Sequence, residues 1–178
     1  AYALLRHLLD EAVAEEHLGR NPALRIRLPQ AERPEVVPWA LDELMAVADA
    51  AARYRGLIMW LGLMGTRWAE TVGLRPSDID GDRVNISSSL SEVRGAFHRV
   101  PTKTYQSRTL PIPRGVLAVM PEYNEGLVFT SPRGFPLRSA QFRDRYFLPA
   151  CQAAGVRPIR IHHLRHTASS LLAQQGAS

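Results

Sequence analysis

The spacing of apolar residues changes twice along this chain, and that restricts the folds open to it. Up to Gly73 apolar residues recur at helical intervals. From Arg83 to Ile112 they fall in short runs with the period of a strand, separated by turn residues. Beyond Ser139 the helical interval returns. A helix buries a stripe of residues three and four apart, whereas a strand buries alternate ones, so one segment cannot satisfy both patterns. The reading is a mainly α fold with one small antiparallel β-sheet inserted, an α+β arrangement.

The first helix is expected over Ala1 to Leu18, with Leu4, Leu5, Leu8, Leu9 and Val13 on one face and Gly19 as its stop. Residues 21–38 hold Pro22, Pro29, Pro34 and Pro38 among many charges and read as an extended linker. Helices follow over Leu41–Arg53 and Gly56–Met64. Gly65 and Thr66 break the second, and a short helix restarts through Arg67 to Gly73. Pro76 to Asp82 reads as a turn. The strands are expected at Arg83–Ser88, Phe97–Val100 and Arg108–Ile112, with Lys103 in or near a hairpin. A helical turn over Arg114–Glu122, a strand at Leu127–Thr130 and a helix from an Ser139 N-cap to Ala154 complete this stretch. Gly155 stops that helix, and a last one follows Pro158.

The last helix carries His162-His163-Leu164-Arg165-His166-Thr167. At helical spacing His162, Arg165, His166 and Ser169 share a polar stripe, while Leu164, Ala168 and Leu171 share an apolar one. Such a helix packs by one face and offers the other to an anion.

Composition narrows the classes. The longest apolar run, around Leu57 to Met64, is too short to span a membrane. There is no signal-peptide pattern, and the single cysteine, Cys151, suits a buried position in a reducing, cytoplasmic compartment. The net charge of +5 favours a polyanionic partner. Of the 22 basic residues only Lys103 is a lysine. Arginine grips phosphate in a fork but does not give up its proton readily, whereas lysine does.

Arg67, Lys103, His162 and Arg165 come from distant segments and together suit a phosphate. Two guanidiniums can hold non-bridging oxygens and stabilise a charged pentacoordinate state. A lysine can protonate a departing alkoxide, and a histidine can relay a nucleophile's proton. No cofactor or metal is called for. His162 and His166 have the i, i+4 spacing of a zinc site, but no Glu follows His162, no third ligand is evident, and Arg165 between them repels a cation. Trp39, Trp60 and Trp68 read as core or interface anchors.

Three segments resemble the tyrosine recombinases, the phage-type integrases. Gly65-Thr66-Arg67-Trp68-Ala69-Glu70 matches their Gly-x-Arg-x-x-Glu pattern, and Leu74 to Ile79 resembles the turn into their first strand. Lys103-Thr104-Tyr105-Gln106-Ser107-Arg108 matches their hairpin lysine box, with the arginine one residue early. His162 to Thr167 matches the His-x-Leu-Arg-His-Thr box in full. The resemblance covers Trp39 to Ser178. It implies a catalytic domain over 39–178, the last helix of an N-terminal DNA-clamping domain over 1–20, and an interdomain linker over 21–38.

By that resemblance Arg67 and Arg165 grip the scissile phosphate, Lys103 is the general acid and His162 assists at the nucleophile. Glu70 orients Arg67, and His166 supports the helix. Arg94, His98, Arg99, Arg108, Arg138 and Arg160 are candidate contacts to DNA phosphates, and Tyr105 a backbone or packing contact. The partners implied are duplex DNA, a homotetramer on two DNA sites, and accessory DNA-bending proteins. The family's nucleophilic tyrosine lies downstream of the histidine box, whereas the tyrosines at 2, 54, 105, 123 and 146 precede it. The expectation is a truncated recombinase that cannot cleave DNA alone. The competing reading is a non-catalytic DNA-binding or regulatory protein that keeps the fold.

Overall fold

The computed structural model describes residues 2–26, 37–102, 106–123, 125–174 and 176. The chain divides into two compact units, 1–35 and 36–178.

In the first unit α1 spans Tyr2–Ala14. It ends earlier than its apolar stripe suggests. Glu16 takes the left-handed conformation at φ 62°, and the His17 amide bonds back to the Ala12 carbonyl at 2.9 Å, so Glu16 rather than Gly19 marks the stop. Residues 21–26 are not free linker. The Asn21 amide donates to the Arg6 carbonyl and the Asp10 carboxylate, and the Tyr2 hydroxyl donates to the Ala23 carbonyl, folding this turn onto α1. The remainder of the expected linker, 27–36, lies outside the described residues.

The second unit is built around α3 (Arg55–Met64), in which every residue from Gly56 to Gly62 is buried. It packs against α2 (Leu41–Ala50) and against the last helix, α8 (Leu164–Gln174). Gly62 lets α2 approach closely: a Cβ there would collide with the Leu44 side chain. α4 (Trp68–Val72) and α5 (Arg114–Leu117) are short. α6 (Ser139–Phe142) and α7 (Leu148–Ala154) form one continuous rod joined by a wide π turn over Arg143–Phe147. Pro149 explains the π turn. It lacks an N–H and its ring crowds the carbonyl four residues back, and the wider turn absorbs both effects. Arg138, not Ser139, is the N-cap of this rod, and it makes no side-chain cap bond. Trp39, Trp60, Phe142, Phe147 and Leu164 are all at most 1% exposed and fill the core, with Trp39 stacked on Phe147.

The strands form two sheets rather than the single one expected. β1 (Ile79–Asp80), β2 (Arg83–Ile86) and β5 (Arg108–Pro111) make an antiparallel sheet in the order β1-β2-β5. β3 (Ser88–Val93) and β4 (Ala96–Pro101) make a separate hairpin. The division follows burial: Val84 and Ile86 of β2 sit in the core, but no residue of β3 is fully buried, so the hairpin leaves the sheet after Ile86. Arg94 and Gly95 turn it, both with positive φ, as a two-residue turn matching strand twist requires. The strand expected at Leu127–Thr130 is reduced to a bridge between Thr130 and Pro136, with Val128 donating to the Leu74 carbonyl. Among the described residues no helix is long and apolar enough to cross a membrane.

Candidate active site

The site is assembled on the turn that ends α3. Gly65 closes the helix in the left-handed conformation at φ 61°, which reverses the chain and places Arg67 at the N-cap of α4. Three side chains hold this turn from inside. The Trp60 indole N–H donates to the Thr66 hydroxyl at 3.0 Å, and the Thr66 and Thr71 hydroxyls are 2.7 Å apart. Thr71 gives its proton to the Arg67 carbonyl at 3.1 Å, so Thr66 must be the donor to Thr71. Thr66 and Thr71 are both buried, and this chain of bonds satisfies them while fixing the backbone at Arg67.

Glu70 stands one helical turn on, with its side chain 1% exposed. Its carboxylate accepts from the Arg67 backbone N–H at 2.9 Å and from Arg67 Nη1 at 2.8 Å. It also accepts from Arg108 Nη2 at 2.7 Å and Nη1 at 3.3 Å, a forked pair. Burial pushes the Glu70 carboxyl up. The bonds from Arg108 and from the Arg67 backbone and side chain outweigh it, leaving the net value below the usual carboxylate range.

Arg165 reaches the same turn from α8. Its Nη1 donates to the Gly65 carbonyl at 2.7 Å. Leu164 and Ala168 seat α8 against α3, and a Cβ on Gly65 would stand 3.3 Å from that of Ala168. Thr167 is buried and accepts the Trp39 amide at 3.1 Å, anchoring the helix on its far side. The two guanidiniums expected to grip phosphate are thus held on either side of this turn, Arg165 by the Gly65 carbonyl and Arg67 by the Glu70 carboxylate.

His162 and His163 sit in a 3-10 turn, Ile161–His163, just before α8 rather than on it. His162 and His166 are exposed and meet edge to face at 6.0 Å; His163 meets His166 at 5.7 Å. Burial, then His166, Arg160 and His162, hold the His163 imidazole below its usual value and so favour the neutral ring. Lys103 and Tyr105 lie outside the described residues. The segments flanking them meet, since buried Thr102 donates its hydroxyl proton to the Gln106 carbonyl at 2.8 Å. Among the described residues no group of three His, Cys, Asp or Glu side chains could hold a metal ion. Cys151 is buried, its thiol pushed up to about 11 by that burial.

The candidate DNA contacts separate into two groups. Arg94, His98 and Arg160 are exposed. Arg99, Arg108 and Arg138 are engaged within the protein. Arg99 holds Asp78 with Nη2 and Ser88 with Nε, bracing the hairpin. Arg138 bonds Glu92 and the Gly95 carbonyl and lies 5.4 Å from the Phe97 ring centroid. Arg108 is on Glu70. Sequence reading missed that partnership, and also the Trp60–Thr66–Thr71 bonds. The alternation of β5 carried a signal for the first, because it places Arg108 on the face of Leu110.

This mainly α fold with small antiparallel sheets is that of the tyrosine recombinases. Residues 37–178 match the model of the phage integrase family, and the chain belongs to that family. It is 27% identical over 194 residues to the prophage phiRv2 integrase of Mycobacterium tuberculosis, covering all of this chain and 51% of that protein. It is 29% identical over 194 residues to the integrase of Mycobacterium phage D29, again with 51% of the relative covered. The chain therefore spans about half the length of the curated relatives it matches. Among solved structures, the Tn1549 transposon integrase in complex with a circular intermediate DNA superposes with a TM-score of 0.83 at 17% identity, covering 99% of this chain and 66% of that one. The lambda integrase dimer bound to a COC' core site superposes at 0.67 with 23% identity, covering 98% and 65%.

Proposed function

We propose that this chain is the phosphate-gripping part of a site-specific DNA recombinase. Residues 39–178 act as the catalytic domain, 1–20 as the last helix of an N-terminal DNA-clamping domain and 21–38 as the connection between them. The observation that carries the reading is the Gly65–Arg67 turn, which ties Arg165 through the Gly65 carbonyl and Arg67 through Glu70. Each guanidinium keeps donors beyond those bonds. Two such forks aimed at one phosphodiester neutralise its charge and stabilise the pentacoordinate phosphorus.

In the cleavage step a tyrosine hydroxyl attacks phosphorus, the bond to the 5′ oxygen breaks, and a 3′-phosphotyrosine and a 5′-hydroxyl result. His162 assists removal of the tyrosine proton, and Lys103 delivers a proton to the leaving 5′ oxygen. The reverse step uses a 5′-hydroxyl of a partner strand. The phosphotyrosine conserves the bond energy, so the cycle needs no cofactor. It proceeds in a homotetramer on duplex DNA, with accessory DNA-bending proteins, in the cytoplasm.

These 178 residues alone are inactive in cleavage. Tyr54 is buried and its hydroxyl is pushed up to about 12, first by burial and then by Tyr146, which disfavours the phenolate. Tyr146 packs its ring 4.5 Å from that of Tyr54. The nucleophile is a tyrosine downstream of the histidine box in the parent recombinase.

The test is capture of a covalent adduct by the parent recombinase on a nicked duplex containing its site. A 3′-linked adduct with a free 5′-hydroxyl is expected, and none from the 178-residue chain. Absence of the adduct from the parent would overturn the reading in favour of a DNA-binding protein that keeps the fold. Lys103→Ala should slow cleavage, and a 5′-thiol leaving group, which needs no proton to depart, should restore most of the rate.

A further inference from the structure

Arg108 resembles a surface arginine by sequence, yet its strand gives it little choice of direction. It opens β5 directly opposite Ile86, and Leu110 lies opposite Val84. Residues paired across antiparallel strands point to the same face. Ile86 and Val84 are 2% and 0% exposed, so Arg108 is placed on the buried face of the sheet. The Arg108 side chain is 33% exposed, and the part of its charge turned toward that face takes a partner. Glu70 supplies it, and Glu70 is also the group that holds Arg67.

The charges explain why two arginines share one carboxylate. Arg67 with Glu70 alone is a neutral pair, and a carboxylate held by one guanidinium competes with phosphate for it. With Arg108 added, the cluster carries one net positive charge, and Glu70 has a second, forked partner that does not depend on Arg67. Glu70 then stays in place when Arg67 shifts its bonding toward a phosphate. The Arg67 side chain is 37% exposed, so its outer edge is open to such a ligand.

We propose that Arg108 is a positioning residue for strand cleavage, acting through Glu70 to hold Arg67 in its phosphate-gripping orientation and to keep the cluster cationic. This rests on the recombinase reading above. Arg108 itself need not touch DNA.

The experiment compares Arg108→Gln, Arg108→Lys and Arg67→Ala in the parent recombinase on two nicked duplexes. One has a normal scissile phosphate and the other a methylphosphonate, in which a methyl group replaces one charged oxygen. On phosphate, Arg108→Gln should slow covalent complex formation by about tenfold or more, less than loss of a direct transition-state donor. Its DNA affinity should change by less than about twofold, since a DNA-free role leaves phosphate contacts intact. On methylphosphonate the defects of Arg67→Ala and Arg108→Gln should both shrink, because the missing charge no longer needs neutralising. A purely structural role would slow both substrates equally, and that result, or an Arg108→Gln rate equal to wild type, would overturn the inference. Arg108→Lys keeps the charge without the fork and should lie between wild type and Arg108→Gln on phosphate; if Arg108→Gln does not fold, the same two-substrate ratio is read from the uncharged Arg108→Met and decides the question. A parent enzyme that forms no adduct on phosphate removes the recombinase reading and this inference with it. A parent that does so while Arg108→Gln is unimpaired removes this inference alone.

Discussion

Glu70 joins the two arginines of the candidate site through one buried side chain. Its carboxylate is out of water and accepts four N–H bonds, two from Arg67 and two from Arg108. Because its folded value lies below the ordinary 4.5, the unfolded chain binds the proton more readily in the range between them. Stability from this group is therefore fully present above pH 4.5 and is lost as pH falls through the folded value. Glu70→Gln removes the titrating group, so melting temperature followed from pH 6 down to about pH 3 should fall less steeply than in wild type. At neutral pH the same variant should cost about 1–3 kcal/mol, the range for hydrogen-bonded charged groups that lose a partner. Equal pH slopes for the two proteins would show that Glu70 is not depressed by its arginines.

The Gly65 turn is the element on which the site depends. A non-glycine residue in the left-handed region costs about 1–2 kcal/mol, and an added Cβ at Gly65 would stand 3.3 Å from the Ala168 Cβ. In the parent recombinase Gly65→Ala should therefore lower stability by about 1–3 kcal/mol and reduce cleavage by more than the loss of folded protein accounts for, since it moves the carbonyl that holds Arg165. Chemical denaturation and adduct yield on the same sample separate the two effects. Much of this element was legible in the sequence, because Gly-Thr-Arg after an apolar helix marks both the stop and the restart. The His162–Thr167 box was legible too, and Leu164 and Ala168 are buried as its apolar stripe requires. Other elements were not legible. The sheet division after Ile86 depends on which strand finds core to cover, and the π turn at Arg143–Phe147 depends on how the rod accommodates Pro149. The fate of Arg99, Arg108 and Arg138 depended on carboxylates 21 to 46 residues away in sequence, at Asp78, Glu70 and Glu92. No local pattern encodes those pairings.

Over the whole molecule the net charge is +5, but the positive groups are not equivalent. Arg99, Arg108 and Arg138 are matched by carboxylates, whereas Arg94 at the hairpin tip and Arg160 before the final turn are exposed. Binding to duplex DNA should weaken steeply with salt. Arg160→Ala and Arg94→Gly should each lower the slope of log affinity against log salt by about one if that arginine meets a phosphate. Arg94→Gly should leave the melting temperature unchanged or raise it, since φ there is 51°. Arg99→Ala should instead lower melting temperature while barely changing the salt slope, because its guanidinium braces Asp78 and Ser88. The central claim is that Arg165 and Arg67, fixed on one turn, grip the scissile phosphate. Its most direct test is Arg165→Ala in the parent recombinase, with DNA affinity and covalent adduct measured side by side on a nicked site. The account predicts that adduct formation is abolished while much of the binding remains. An Arg165→Ala enzyme that forms the adduct at the wild-type rate would contradict it.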